Sequence, residues 1–330
     1  MTKTRMIMSR TPLRITFVGG GTDIPSYYRD YGPGAVVSAS INKYIYVAVN
    51  KKFDSKIRVS YSVTEMVDTV DEIKHPTVRE ALRLLGIDGG VEIVSISDIP
   101  SKGTGLGSSS TFLVGLLNAL HAYKGEHASP LQLAEEAVKI EREILGEPGG
   151  KQDQYMAAYG GIQFMEFHQD ERVSVKPVIM NEEKRGKLQS NLLLMYTGRE
   201  RSSTEIHKVQ ANSVSNKLES YHLMKGMAFE MFDAMCNGDT GEIGKLLHRN
   251  WEQKKQLADG ITDKNIDSWY EKALSNGASG GKMIGAGGGG FLLLFASPEK
   301  HEDIIRALPE LKQETFNIEY GGSRIIFVGD

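Results

Sequence analysis

Residues 100–123 read PSKGTGLGSSSTFLVGLLNALHAY. The stretch follows a strand-like run, VEIVSIS over Val91–Ser97. Gly103, Gly105 and Gly107 alternate through a loop that takes in Thr104 and Leu106. Ser108, Ser109, Ser110 and Thr111 follow, and the pattern turns into an apolar helix. Strand, glycine loop, hydroxyl cluster and helix form an order suited to an anion. Glycine lets the backbone approach a phosphate with no Cβ in the way. The free amides of a helix's first turn, and its dipole, favour negative charge there. The hydroxyls can cap the helix, bind phosphate or ligate Mg2+. Two familiar loops do not fit: no lysine follows Gly107 as a Walker A loop requires, and the third glycine of G-x-G-x-x-G is missing. A serine-rich helix start alone would also account for the stretch, so the reading depends on the rest of the chain.

The chain has 330 residues, long enough for two domains, and its 39 Lys and Arg against 42 Asp and Glu give a formal charge of −3. That balance gives no electrostatic case for nucleic acid or an acidic membrane as partner. Cys236 is the one cysteine, so an intramolecular disulfide and cysteine-rich metal sites are excluded. No apolar run approaches the roughly 18 residues of a membrane span, and the first twelve residues lack the apolar core of a signal peptide. A cytoplasmic protein, monomeric or homodimeric, is expected.

Upstream, Met6–Val18 reads as a strand interrupted at Arg10-Thr11-Pro12, followed by Gly19, Gly20, Gly21, Thr22 and Asp23. Asp23 fits a cap or Asx-turn, or a ligand at a turn edge. Arg14 alternates with Leu13 and Ile15, which permits a solvated face. Residues 36–50 and 57–61 read as strands and 77–85 as a helix. Downstream, 131–145 reads as a helix capped by Ser129, with Leu131, Ala134, Ala137, Val138 and Leu145 inward. Glu141 falls on that inward stripe. A buried carboxylate needs a partner, either a basic side chain or Mg2+. A second helix starts near Asp153 and Gln154, where Asp153 is an N-cap or a carboxylate at a cleft rim beside Lys151.

Residues 170–190 turn charged and loop-like, and the domain boundary is expected there, giving 1–185 and 186–330. Residues 192–196 read as a buried strand, with helices at 216–237, 240–259, 266–276 and 298–308. Residues 277–296 are glycine-rich. Gly285–Gly290 matches G-x-G-x-x-G, but a strand follows where a dinucleotide site needs a helix, so that reading is rejected. Residues 315–320 and 324–328 are expected to form a hairpin around Gly321-Gly322-Ser323. Mixed strands and helices without strict alternation point to an α+β fold.

Three glycine stretches in this order, PLRITFVGGGTD (12–23), PSKGTGLGSSST (100–111) and GASGGKMIGAGGGGF (277–291), resemble the motifs of the GHMP kinases. That superfamily is named for galactokinase, homoserine kinase, mevalonate kinase and phosphomevalonate kinase. Together the motifs bracket nearly the whole chain. GGGTD, GGKQDQY and YTGRERSS most resemble the D-glycero-D-manno-heptose 7-phosphate kinase branch, with fucokinase and arabinokinase domains as near neighbours.

The resemblance implies a two-domain α+β fold, with a ribosomal S5 domain 2-like N-terminal domain and a ferredoxin-like C-terminal domain. ATP and sugar would meet between them. By position, Gly103, Thr104, Gly105, Leu106, Gly107 and Ser108–Ser110 would wrap the ATP phosphates, and Ser109 and Glu141 would ligate Mg2+. Asp153 would be the catalytic carboxylate with Arg14 beside it. Gly20, Gly21, Thr22, Asp23, Gln154, Gly287 and Gly288 would contact the sugar. Lys102 is an extra residue before Gly103 relative to the family's P-x-G-x-G-L-G. The implied activity is phosphorylation of the anomeric hydroxyl of a heptose 7-phosphate, for nucleotide-activated heptose. Such a substrate needs a second anion site, for which Arg199 and Arg201 lead, ahead of Lys151 and Lys282. Rival readings are a kinase for an unphosphorylated sugar, a diphosphomevalonate-type decarboxylase, which the GGGTD turn argues against, and a catalytically silent sensor.

Overall fold

The chain is described from a computed structural model over residues 6–100, 103–200 and 203–329. Lys102 and Arg201 lie outside the described residues. In chain order the elements are β1 (Met6–Val18), α1 (Pro25–Tyr31), β2 (Gly34–Lys51), β3 (Ile57–Ser60), β4 (Thr64–Val67), α2 (Pro76–Leu85), β5 (Val91–Ser97), α3 (Ser108–Lys124), α4 (Pro130–Val138), α5 (Gln152–Tyr159), β6 (Ile162–Phe167) and β7 (Val173–Pro177). There follow α6 (Glu182–Ser190), β8 (Leu192–Tyr196), α7 (Ser203–Ser213), α8 (Leu218–Asn237), α9 (Thr240–Lys254), α10 (Lys264–Ser275), β9 (Ala278–Met283), β10 (Phe291–Ala296), α11 (His301–Ala307), β11 (Lys312–Gln313) and β12 (Arg324–Gly329).

The first sheet runs β12-β1-β2-β5-β3-β4, with β6 on the early half of β2 and β7 beyond it. β1 is one continuous strand, not an interrupted one. A register shift after Pro12 absorbs the proline. The β12 pairing ends at Arg10, so Pro12 faces an open edge where no ladder donor is needed. Two residues on, that edge serves the glycine loop: the Arg14 amide donates to the Leu106 carbonyl at 3.1 Å.

α3 packs on β1 and β2. Its Leu113, Val114, Leu116, Leu117 and Leu120 are fully buried, each contributing about 1.5–3 kcal/mol. Gly115 makes the approach close. A Cβ there would lie 2.7 Å from Thr11 Oγ1, and Ser9 Oγ donates to the Gly115 carbonyl at 2.7 Å.

The second sheet is β11-β8-β10-β9. β9 was not expected as a strand. Its Gly280 carries no side chain because the backbone of α9, at Gly244 and His248, lies against it. The stretch expected as loop at 170–190 holds β7 and α6, and the expected boundary at 185 falls inside α6. The expected hairpin does not form. β12 pairs with β1, whereas Ile318 bridges to Ile41. Gly321 and Gly322 instead pack onto the chain at Ala158–Gly160, with Ser323 N donating to Ala157 O at 2.9 Å. The α4 helix also departs from expectation: Leu131 is exposed, and the inward residues are Leu133, Ala134, Ala137 and Val138.

Candidate active site

The loop at 103–107 is held by backbone from both halves. Gly105 has φ +75, and a Cβ there would lie 2.5 Å from the Ile284 carbonyl. A Cβ on Gly285 would lie 2.6 Å from Gly105 Cα. The two glycine runs therefore interlock main chain to main chain, a contact no side chain would permit. Gly107, with φ +78, caps α3. Thr111 N donates to its carbonyl at 3.0 Å, which leaves the amides of Ser108, Ser109 and Ser110 ahead of the helical ladder. Gly107 also lies beside Asp153, where a Cβ would be 3.1 Å from Oδ2.

Asp153 is not an N-cap. Lys151 occupies that position, and the Asp153 carboxylate takes a bidentate pair from Arg14, Nε to Oδ1 at 2.8 Å and Nη2 to Oδ2 at 2.7 Å. Arg14 is buried, not solvated, and its Nη1 donates to the Gly105 carbonyl. Breaking such a pair by removing one partner costs about 3–5 kcal/mol.

α4 runs on into a π-helical turn, Lys139–Ile144. Such turns insert a residue and cluster at functional sites. This one turns Ile140 and Glu141 inward, and Glu141 is 1% exposed. Its carboxylate accepts from Ser109 Oγ at 3.0 Å and Ser110 Oγ at 2.7 Å, and also from Gln154 Nε2. Among the described residues the nearest cation, the Arg142 guanidinium, stands 3.9 Å away.

Asp23 closes the next side. It is 2% exposed and accepts from Gly21 N at 3.0 Å and Gln152 N at 3.3 Å. Thr22 is turned the other way, its hydroxyl locking the turn to Gly19 and Ala35. These elements surround a cavity of about 590 Å³. Arg14, Gly20, Gly21, Asp23, Gly103–Gly105, Gly107–Ser110, Glu141, Asp153 and Gly287 line it. Among the described residues no three His, Cys, Asp or Glu side chains gather as a metal cluster.

The region matched by the GHMP kinases N terminal domain covers residues 71–161, and that matched by the GHMP kinases C terminal domain covers 231–313. A curated D-glycero-alpha-D-manno-heptose 7-phosphate kinase from Campylobacter jejuni is 34% identical over 92% of this chain and 93% of its own. The chain belongs to the GHMP kinase family. A solved structure titled as a D-glycero-D-manno-heptose 1-phosphate kinase from Bacteroides thetaiotaomicron superposes with a TM-score of 0.81 at 27% identity, over 98% of this chain and 100% of that one. An L-fucokinase/L-fucose-1-P guanylyltransferase from Bacteroides fragilis is 27% identical over 88% of this chain and 35% of its own length. The protein is thus a sugar kinase of the GHMP type, a phosphotransferase with an alcohol acceptor in a family that uses ATP.

In this kinase not every expected contact faces the cavity. Leu106 is buried, and its carbonyl is taken by Arg14 N. Gln154 supports Glu141 from behind, and Gly288 N is bonded to Ile261 O at 2.9 Å. Arg199 does not line the cavity: its guanidinium is paired with Asp263 at 2.7 Å and lies over the Trp269 ring. Lys151 is committed to Glu171 and the Tyr28 ring. Lys282 is fully buried in β9, its Nζ without a hydrogen-bond partner among the described residues, and burial pushes its amine well below the usual lysine range.

Several lining residues had not been expected: Thr16, Arg142, Gln152, Glu200, His207, Gln210 and Lys254. Lys254 is buried in the last turn of α9, and its Nζ donates to the Gly285 carbonyl. Burial lowers its amine to about 8, with the Arg14 charge acting in the same direction. Burial also lowers the His207 imidazole.

Proposed function

We propose that this kinase transfers the γ-phosphoryl group of ATP to the anomeric hydroxyl of D-glycero-D-manno-heptose 7-phosphate, giving the 1,7-bisphosphate for nucleotide-activated heptose. The observation that carries the reading is the Arg14–Asp153 pair beside Gly107 at the foot of α3. The name of the Campylobacter jejuni relative supports the substrate. The name of the Bacteroides structure puts the phosphate at the other end of the heptose, and product analysis separates the two. Residues 1–185 would serve as the nucleotide half and 186–330 as the half closing the sugar side.

Phosphoryl transfer asks chiefly for positioning and charge neutralisation. The amides of Ser108–Ser110 and the α3 dipole receive the ATP phosphates. Asp153 orients the attacking hydroxyl and takes its proton, and Arg14 offsets charge on the transferring group. Asp23, held by two amides, accepts hydrogen bonds from sugar hydroxyls. Mg2+ fits the set of donors. Glu141 is a buried carboxylate with no cation among the described residues closer than 3.9 Å, next to a serine hydroxyl on the cavity, and Mg2+ binds through one or two carboxylates plus phosphate oxygens. When bound by Ser109 and Glu141, it would neutralise phosphate charge.

A second reading, a kinase for an unphosphorylated sugar, draws on Arg199, which is engaged by Asp263, and on the fucokinase relative. Coupled ADP release with Mg-ATP tests both against D-glycero-D-manno-heptose 7-phosphate, the free heptose, mannose 6-phosphate, L-fucose and galactose. Turnover confined to the heptose phosphate, with 31P spectra of a 1,7-bisphosphate, is expected. Equal or better turnover of a free sugar would select the second reading.

A further inference from the structure

The cavity wall contributed by α7 and α9 carries donors that the chain leaves unused. Gln210 is 2% exposed and lines the cavity, yet among the described residues its Nε2 has no hydrogen-bond partner. His207, one turn earlier, also lines it, and its Nδ1 is likewise unpartnered. Lys254 adds an ammonium that donates to a single carbonyl among the described residues, that of Gly285, although an ammonium has three donors. Lys282 lies within electrostatic reach behind it. The acids lining the same cavity are Asp23, Glu141, Glu147, Asp153 and Glu200. Of these, Asp23 and Asp153 act on both His207 and Lys254.

Buried polar atoms without partners are costly to keep, and those on this wall are carried by α7, with Lys254 on α9 lining the same cavity. A sugar hydroxyl both donates and accepts. A phosphate monoester offers three strong acceptor oxygens and up to two negative charges, which matches a wall of donors centred on a lysine. Arg199, the arginine expected from sequence for such a group, is neutralised by Asp263.

We propose that Lys254, Gln210 and His207 form the subsite for the phosphate that the sugar already carries, remote from the hydroxyl that reacts. This inference rests on the sugar-phosphate reading of the function and names the residues that would enforce it.

Isothermal titration with AMP-PNP present tests it without requiring turnover. The probes are D-glycero-D-manno-heptose 7-phosphate and the unphosphorylated heptose, titrated into wild type, Gln210→Leu and Lys254→Met. The expected result is that wild type favours the phosphorylated sugar and that each variant loses about 10- to 100-fold of affinity for it. Affinity for free heptose and for AMP-PNP should stay within about threefold, well under the tenfold that 1.4 kcal/mol represents. Gln210→Leu removes no charge and keeps the proposal testable should Lys254→Met fail to fold. Equal wild-type affinity for the two sugars would overturn the subsite and the phosphorylated substrate together. A wild-type preference that survives both substitutions would overturn the subsite alone. Loss of AMP-PNP binding in Lys254→Met would assign that lysine to the nucleotide and overturn the proposal.

Discussion

On the wall built from α3, α5 and the π-helical turn, each functional side chain is already held by another. Glu141 accepts from Ser109, Ser110 and Gln154, and Asp153 takes two donors from Arg14. On the wall built from α7 and α9, Gln210 Nε2 and His207 Nδ1 have no partner among the described residues, and burial lowers the Lys254 amine to about 8. The first wall is arranged before any ligand arrives, so little reorganisation is needed as charge moves during transfer. The second carries a standing cost that binding of an anion removes, which stabilises the liganded protein by linkage. On the proposed function, chemistry and selectivity would thus be divided between a satisfied wall and an unsatisfied one.

Substitutions on the two walls should therefore have different signatures. Asp153→Ala is expected to lower kcat by about 10²- to 10⁴-fold while AMP-PNP titration is unchanged; near-normal turnover would remove Asp153 from the chemistry. Glu141→Gln should lower kcat/KM by about 10- to 100-fold and move the Mg2+ titration midpoint upward. An unmoved midpoint would mean that Glu141 only packs the serines and Gln154.

On the other wall the effect on stability changes sign. Lys254→Met should raise the melting temperature of the ligand-free protein by roughly 2 °C per kcal/mol recovered. Burial holds the native amine at about 8 against an ordinary 10.5. The native chain therefore releases, between those values, a proton that the unfolded chain keeps, and this group's contribution to stability rises with pH across that window. The gain from the substitution is expected to be full below pH 8 and to vanish above about 10.5. A lower melting temperature at pH 7 would break the contrast between the walls. The smallest effect is expected from Arg199→Ala, which removes a half-exposed ion pair worth about 1 kcal/mol or less. It should leave KM for the sugar phosphate nearly unchanged in steady-state assays.

The satisfied wall was the more legible in sequence. Glycine spacing marked both loops, and three-and-four periodicity turned Glu141 inward. The same periodicity misassigned Leu131, which stands in the first turn of α4 and is exposed, while Leu133 takes the inward place there. Lys254 follows Ile243, Leu247 and Asn250 on the buried stripe of α9 and could have been found by the rule that found Glu141. A lysine in a last helical turn, however, reads equally well as a cation placed for the helix dipole. Arg14 looked solvated because alternation cannot tell an exposed face from one covered by another segment, here the Gly103–Gly107 loop. The missing hairpin has a similar cause: its turn glycines are spent on packing against Ala158–Gly160.

The pairing of β12 with β1 also bears on the order of events during synthesis. Met6 lies opposite Gly329, so the outer edge of β1 has its strand partner only once residues 324–329 have left the ribosome. Until then a long strand edge stays open, a hazard for wrong pairing. Synthesis of residues 1–185 alone would therefore leave the first sheet without its edge strand, and that edge would need shielding until residues 324–329 emerge and pair with it.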